Sequence, residues 1–313
     1  MQNSDTTVVV LGTGGTIAGT ADDPADTVGY SAGRIAVADL VAGLPKPAGV
    51  RVQTEEVARI DSKDIDWAVW CALAAKVAYH VDRSDVAGVV VTHGTDTLEE
   101  TAYLLQRVLA PEKPVVLTAA MRPATALLSD GPQNLLDAFQ LALQPGARGV
   151  LAVLAGTVHG ALDVRKVHTH RLDAFYSGDA GPLGVLQNGV FTQWRDWPSG
   201  VALGLSTLRR RQPLRVALVF SHGDADGGVV EALRAQGVDG IVVAGTGNGR
   251  LHRRLEAALL QAQQEGGVRI LRCSRVAQGA VLPSPGDTFE SAGVLSPGQA
   301  RIELLLRLLA ADR

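Results

Sequence analysis

Two short segments place threonine hydroxyls directly behind glycines. Gly12-Thr13-Gly14-Gly15-Thr16-Ile17-Ala18-Gly19 follows the apolar run Val8–Leu11, and Thr92-His93-Gly94-Thr95-Asp96-Thr97 follows Val86–Val91. Glycines in such positions let the backbone turn tightly and approach a ligand. Thr16 then presents a hydroxyl at the carboxyl end of a buried strand, where open α/β sheets place ligands. Thr95 and Asp96 face the same crevice: the hydroxyl can activate water, and a carboxylate near a helix N-terminus can hold a substrate ammonium group. Lys166, if buried beside a threonine hydroxyl, can lose its proton near neutral pH and act as a base. Tyr30 stands in a polar, Gly-rich stretch from Ala18 to Arg34, which suits a lid that closes a phenol onto a nucleophile. A threonine hydroxyl is a weak nucleophile at its free pKa and requires a neighbouring base, so this set points to attack by an activated hydroxyl.

Plainer readings compete. A dinucleotide loop needs a third glycine where Ile17 stands and a helix where Ala21–Asp26 breaks it, and no Gly-Lys-Ser/Thr occurs for a Walker loop. Asp96 and Thr97 are ordinary helix N-cap residues, and Thr97 with Glu100 spells a capping box. Thr97 alone serves that purpose, which leaves Thr95 and Asp96 without a structural task. His168 and His170 alternate on one predicted strand face, with His159 upstream, which raises a metal site. No further ligand has suitable spacing, so the expectation is no metal.

The elements that position these residues follow from periodicity. Val8–Leu11, Val86–Val91, Val115–Leu117 and Gly149–Leu154 read as buried strands. Asp64–Val81 repeats apolar residues on one helical face, Leu98–Leu109 follows its cap, and Asp130-Gly131-Pro132 starts a helix over Gln133–Leu143. Asp163–Lys166 reads as strand. Leu183–Pro213 breaks the rhythm and reads as a connection. Beyond it, Val216–Phe220, Gly240–Val243 and Val268–Leu271 are predicted strands, and Leu251–Gln264 and Gly298–Ala311 predicted helices. The fold class expected is α/β: a larger N-terminal parallel-sheet domain with helices on both faces (residues 1–188), a linker (189–213) and a smaller C-terminal α/β domain (214–313).

A chain of 313 residues with 46% hydrophobic content holds two cores and is not disordered. Its net charge of −3 and the lack of any basic cluster beyond Arg209-Arg210-Arg211 argue against a nucleic-acid or membrane-surface partner. Cys71 and Cys273 build no disulfide framework and read as small core residues. Without a positive n-region, a signal-length apolar run or a transmembrane-length segment, the expected location is the cytoplasm.

Taken together, the segments resemble the bacterial-type L-asparaginases of the asparaginase/glutaminase amidohydrolase family. Thr13-Gly14-Gly15-Thr16-Ile17-Ala18-Gly19 and Thr92-His93-Gly94-Thr95-Asp96-Thr97 carry the match. Ala120-Met121-Arg122-Pro123, Asp130-Gly131-Pro132 followed by Asn134, Asp163 with Lys166, Gly245-Thr246-Gly247-Asn248-Gly249 and Ser274-Arg275-Val276 agree in order and spacing. The resemblance covers nearly the whole chain. It implies that Thr16 attacks a side-chain amide to give a β-acyl-enzyme, assisted by Tyr30 from the lid. Thr95 and Lys166 would form a second hydroxyl–base pair. Asp96 would bind the substrate α-amino group, Ser62 its α-carboxylate, and the backbone at Gly15 and Ala120 the rest of the substrate. Asn248 would complete the site across an intimate dimer, within a homotetramer. No cofactor is implied.

Two departures touch substrate recognition. Family members place an acid from the neighbouring subunit shortly after the Ser274-Arg275-Val276 stretch. Val281–Gly286 offers none, although Asp287 and Glu290 lie close by. Lys63 stands where an uncharged amide is common. The expected reaction is hydrolysis of L-asparagine, a small amino-acid amide, to L-aspartate and ammonia. The alternatives are a mixed glutaminase-asparaginase, separated by a single methylene, an asparaginase-like amidotransferase subunit, and a ligand-binding module that lost the chemistry. The amidotransferase subunit calls for a domain ahead of the first strand, where only a short polar tail is found. The joint presence of Thr16, Thr95, Asp96 and Lys166 argues against the binding module.

Overall fold

The computed structural model describes residues 6–45, 49–209 and 214–311. The N-terminal tail through Asp5, and Arg210 and Arg211 of the basic triplet, lie outside them. The chain divides into two compact units, Met1–Arg209 and Arg210–Arg313.

In the first unit the strands run β1 (Thr6–Gly14), β2 (Val50–Ile60), β3 (Val86–Thr92), β4 (Pro114–Thr118), β5 (Gly149–Leu154), β6 (Thr157–Gly160), a short pair β7 (Arg165–Lys166) and β8 (Phe175–Tyr176), then β9 (Gly184–Gln187) and β10 (Val190–Gln193). Eight of them form one sheet in the order β10-β9-β6-β5-β4-β3-β1-β2, and β7 pairs with β8 apart from it. The block β2-β1-β3-β4-β5 is parallel, and the hairpins after β5 are antiparallel. Val8–Leu11 is fully buried because both faces of β1 are covered. Helices α1 (Val37–Ala42) and α4 (Gly131–Ala142) pack Val37, Val41, Leu135 and Phe139 against Val8, Val10, Val90 and Val116. The alternate residues Val9, Leu11, Val89 and Val91 face the other way, toward α2 (Trp67–Val81) and α3 (Leu98–Leu109).

The second unit is a four-stranded parallel sheet of β11 (Val216–Phe220), β12 (Gly240–Gly245), β13 (Arg269–Ser274) and β14 (Glu290–Ser291). Helices α5 (Gly228–Ala235) and α6 (Arg253–Gly266) cover the face of Val219, Ile241, Val243 and Ile270, while α7 (Pro297–Ala311) covers that of Val242, Ala244, Leu271 and Cys273.

Several expectations are corrected. The segment assigned to a linker at 189–213 contains β10, hydrogen-bonded to β9, so the first unit extends to Arg209 rather than ending at residue 188. Gly184–Gln187 and Val190–Gln193 are half-exposed and short, which hides their alternation. Asp163 stands in a turn, and only Arg165–Lys166 of that segment is strand. His168 and His170 are exposed and share a bend, not a strand face: the His168 ring nitrogen accepts from the backbone N–H groups of His170 and Arg171. The helix predicted from Asp64 starts at Trp67, because Ser62–Asp64 forms a 3-10 turn and the Asp66 side chain accepts the N–H of Val69.

Candidate active site

Strand β1 sits between β2 and β3, and the chain leaves it toward β2 by way of α1, while β3 is left toward β4 by way of α3. The strand order reverses here, so the connections diverge and a crevice opens at the carboxyl ends of β1 and β3. Gly15 and Thr16 leave one strand, Gly94 and Thr95 the other.

The two loops touch through their glycines. A Cβ on Gly15 would stand 2.4 Å from the Cα of Gly94, and one on Gly94 would stand 2.5 Å from the Ser62 hydroxyl. Gly15 also has φ +80°, a conformation side chains disfavour. Only glycine at both positions lets these backbones meet, and the meeting brings Ser62, Thr16 and Thr95 into one neighbourhood. Thr16, Ser62 and Thr95 are all buried.

Thr16 begins a 3-10 turn closed by Ala18 and Gly19 N–H groups donating to Gly15 and Thr16 carbonyls. Its hydroxyl shares a hydrogen bond of 2.6 Å with the Tyr30 hydroxyl. The Ala18–Arg34 segment expected as a lid is tied at its neck and its tip. Thr20 and Ser31 pair as a β-bridge at its neck, and Asp26 accepts the N–H groups of Val28 and Gly29 at its tip. Those donors hold the Asp26 carboxyl below the usual range. The 121–127 loop holds the lid from outside. Ala124 N–H donates to Gly19, and the Thr125 hydroxyl accepts from Ala21 N–H.

On the other side of the crevice, Lys166 Nζ donates to Thr95 Oγ1 at 2.8 Å and to Asp96 Oδ1 at 2.6 Å. The Lys166 side chain is 19% exposed and that of Asp96 52%, so the pair lies at the rim with a carboxylate open to a ligand. Asp96 N–H donates to the Ser62 hydroxyl, and the Thr97 hydroxyl donates to the Ser62 carbonyl. The capping-box expectation is therefore corrected: Thr97 makes no side-chain cap for α3, its hydroxyl being taken by a carbonyl 35 positions away in sequence.

Ala120 packs with Ile17 and Ala18 beside the Thr16 turn. Its flanking peptides are fixed: buried Asn134 donates to the Ala119 carbonyl, and Asp130 accepts the N–H groups of Met121 and Arg122. Asn248 belongs to the second unit, where its amide clamps Leu282, donating to the carbonyl at 3.0 Å and accepting the N–H at 2.8 Å. Asp287 is paired with Arg272 and accepts from Ser284 N–H, and Glu290 is paired with Arg307. Lys63 is paired with Asp61 and Asp64.

Two supports escaped the sequence reading. His93 is fully buried and donates from one ring nitrogen to the Gly94 carbonyl at 2.7 Å. Its other nitrogen meets the Thr101 hydroxyl, which accepts from Trp70 Nε1. The neutral ring satisfies this chain, and burial pushes its pKa down to about 4. Glu99 Oε2 accepts the Lys166 N–H at 2.8 Å. Buried Thr101 and Asn134 on otherwise apolar helix faces were the available signal for such networks. His159 is buried on the Ser177 hydroxyl, away from His168 and His170, and among the described residues no three His, Cys, Asp or Glu side chains gather as a metal site. Nor, among them, is any helix long and apolar enough to cross a membrane.

What remains at the crevice is a hydroxyl coupled to a phenol, a hydroxyl coupled to an amine, and a half-exposed carboxylate. That combination can attack, protonate and hold an ammonium group. The chain is similar to known proteins over nearly its whole length. The family model described as Asparaginase, N-terminal matches residues 7–198, and that of the Glutaminase/Asparaginase C-terminal domain matches residues 215–312. "L-asparaginase 2" of Escherichia coli (strain K12) is 37% identical over 96% of this chain and 88% of its own. "Glutaminase-asparaginase" of Pseudomonas fluorescens biotype A is 35% identical over 96% of this chain and 86% of its own. The solved "Probable Cytoplasmic L-asparaginase from Campylobacter jejuni" superposes with a TM-score of 0.92 at 36% identity, covering 97% of this chain and 95% of that one.

Proposed function

The chain belongs to the asparaginase/glutaminase family, and from that premise we propose that it hydrolyses L-asparagine to L-aspartate and ammonia through an acyl-enzyme on Thr16. The observation that carries the reading is the 2.6 Å contact between the Thr16 and Tyr30 hydroxyls, facing a Lys166–Thr95–Asp96 cluster across touching glycines. Asp96 receives the substrate α-ammonium on its exposed carboxylate, Ser62 lies beside it for the α-carboxylate, and the backbone at Gly15 and Ala120 flanks the side-chain amide. Thr16 Oγ then adds to the amide carbon while its proton passes toward Tyr30. The nitrogen leaves as ammonia after receiving a proton, and the ester remains on Thr16. Thr95, hydrogen-bonded to Lys166, activates the water that cleaves it. Helix α3 begins three residues beyond Thr95, so the positive end of its dipole lies close to the charge that develops.

The second unit contributes Asn248 across an intimate dimer in a homotetramer, in the cytoplasm. Support for this part is the agreement of the Gly245–Gly249 segment with the family and the likeness to the Campylobacter protein named as cytoplasmic. Replacing Thr16 by Ala tests the chemistry. Ammonia release from asparagine is expected to vanish with the fold intact, and near-normal turnover would remove Thr16 as nucleophile. Glutamine run in parallel at matched concentration reads the preference between the two amides, a difference of ~1–3 kcal/mol for one methylene.

A further inference from the structure

We propose that Glu99 is a positioning residue for the reaction: its carboxylate pins the backbone of Lys166 and thereby sets where the amine meets Thr95. The proposal rests on the role given to Lys166 and Thr95 above.

Lys166 lies outside the main sheet. It ends a two-residue strand whose partner is the equally short β8. The ladders that register β1 against β3 therefore do not register Lys166 against Thr95. A four-carbon stem with free torsions cannot hold an amine to a fraction of an ångström unless its backbone is fixed. The Lys166 N–H supplies that fixing by donating to Glu99 Oε2 at 2.8 Å. Glu99 is in the first turn of α3, and Thr95 and Asp96 are the residues leading into that turn. Lys166 thus docks at three points, N–H on Glu99 and Nζ on Thr95 and Asp96, all within the five residues Thr95–Glu99. The helix start acts as a jig: the hydroxyl and the anchor for its base ride on one rigid turn.

An acidic residue in a first turn also favours the helix dipole and so adds to stability. The two roles separate by experiment. Glu99→Ala is expected to lower kcat for ammonia release from asparagine by ~10–100-fold with KM within ~3-fold, since a misplacement near 1 Å costs about that much. Glu99→Gln keeps an oxygen that accepts the same N–H and is expected to recover kcat to within ~3-fold of wild type. Glu99→Asp keeps the charge at the helix start but shortens the reach, so it is expected to lose kcat as Ala does; it also covers the case in which the Ala variant fails to fold. Melting curves accompany each. Unchanged kcat in Glu99→Ala or Glu99→Asp overturns the proposal, as does a Glu99→Gln variant as slow as Ala. Lys166→Met is measured beside them. Full activity there overturns the role of Lys166 itself, whereas an inactive Lys166→Met beside a fully active Glu99→Ala overturns only the positioning.

Discussion

Acidification exposes what the two buried histidines contribute. His93 and His159 are each pushed by burial from the ordinary 6.5 to about 4. In the unfolded chain both take up a proton as pH falls through 6.5, while in the folded protein they stay neutral until about 4. Across that window the unfolded state binds more protons, so stability falls as pH falls. Between about pH 7.5 and about pH 5 the loss is roughly 2 kcal/mol for each ring, with the larger part below pH 6. The carboxylates held low by their partners, Glu55, Asp85 and Asp173, act only at lower pH, because their stability is lost below the ordinary carboxylate range. Asp137, pushed up by burial, works in the opposite sense but equally in any His159 variant. His159→Gln isolates one ring: the amide oxygen can accept the Ser177 hydroxyl, and the titration disappears. Urea unfolding at fixed protein concentration, near pH 7.5 and near pH 5, is expected to show the wild-type loss shrink by roughly 2 kcal/mol in the variant. An equal loss in both proteins refutes the reasoning.

Two further perturbations read the crevice directly. Tyr30→Phe removes the partner of Thr16 while leaving the ring on the lid. An unmade hydrogen bond costs about 1–3 kcal/mol, so kcat for ammonia release is expected to fall ~10–100-fold, and full activity would detach Tyr30 from the chemistry. Gly94→Ala puts a methyl 2.5 Å from the Ser62 hydroxyl and 3.2 Å from the Gly15 Cα. It is expected to raise KM for asparagine and to destabilise the fold by about 1–3 kcal/mol in thermal unfolding, and an unchanged saturation curve would free Ser62 of a binding role.

Four strands of the parallel block were legible because strands buried on both faces have nothing polar to interrupt them, as in Val8–Leu11 and Val86–Val91, whereas β2, half-buried and polar through Gln53-Thr54-Glu55-Glu56, was not. The same rule hides the edge. β9 and β10 are short and half-exposed, so their residues read as the loop that precedes a second domain. Helix α5 buries little but Val230 and leaves an equally weak trace. Thr97 misled for a different reason. Its spacing to Glu100 is a local signal, and a local cap is outcompeted when a carbonyl from another segment, here that of Ser62, is brought within reach of the hydroxyl. His168 and His170 show the converse: their spacing suggested a strand, and a local turn about the His168 ring claimed them. Thr16, Thr95 and Asp96 stood out as candidates because polar residues at the ends of buried strands have no packing reason to be there, whereas Lys166, on the two-residue β7, stood out only through the resemblance to the family. Glu99 did not stand out, since an acid in a first helical turn has an ordinary reason of its own.

The pairing of chemistry across the crevice follows from one steric fact. Each threonine directly follows the glycine that touches the other loop, Gly15 before Thr16 and Gly94 before Thr95. Closing the loops to backbone contact therefore brings the two buried threonines to neighbouring positions. The lid and the lysine are then added from elements that the main sheet does not register, and each is held by a dedicated tie: the Thr20–Ser31 bridge and Thr125 for Tyr30, Glu99 for Lys166. Asp287 and Glu290 are paired with Arg272 and Arg307 within the second unit. Asp96 spends one oxygen on Lys166 and keeps a half-exposed carboxylate at the rim.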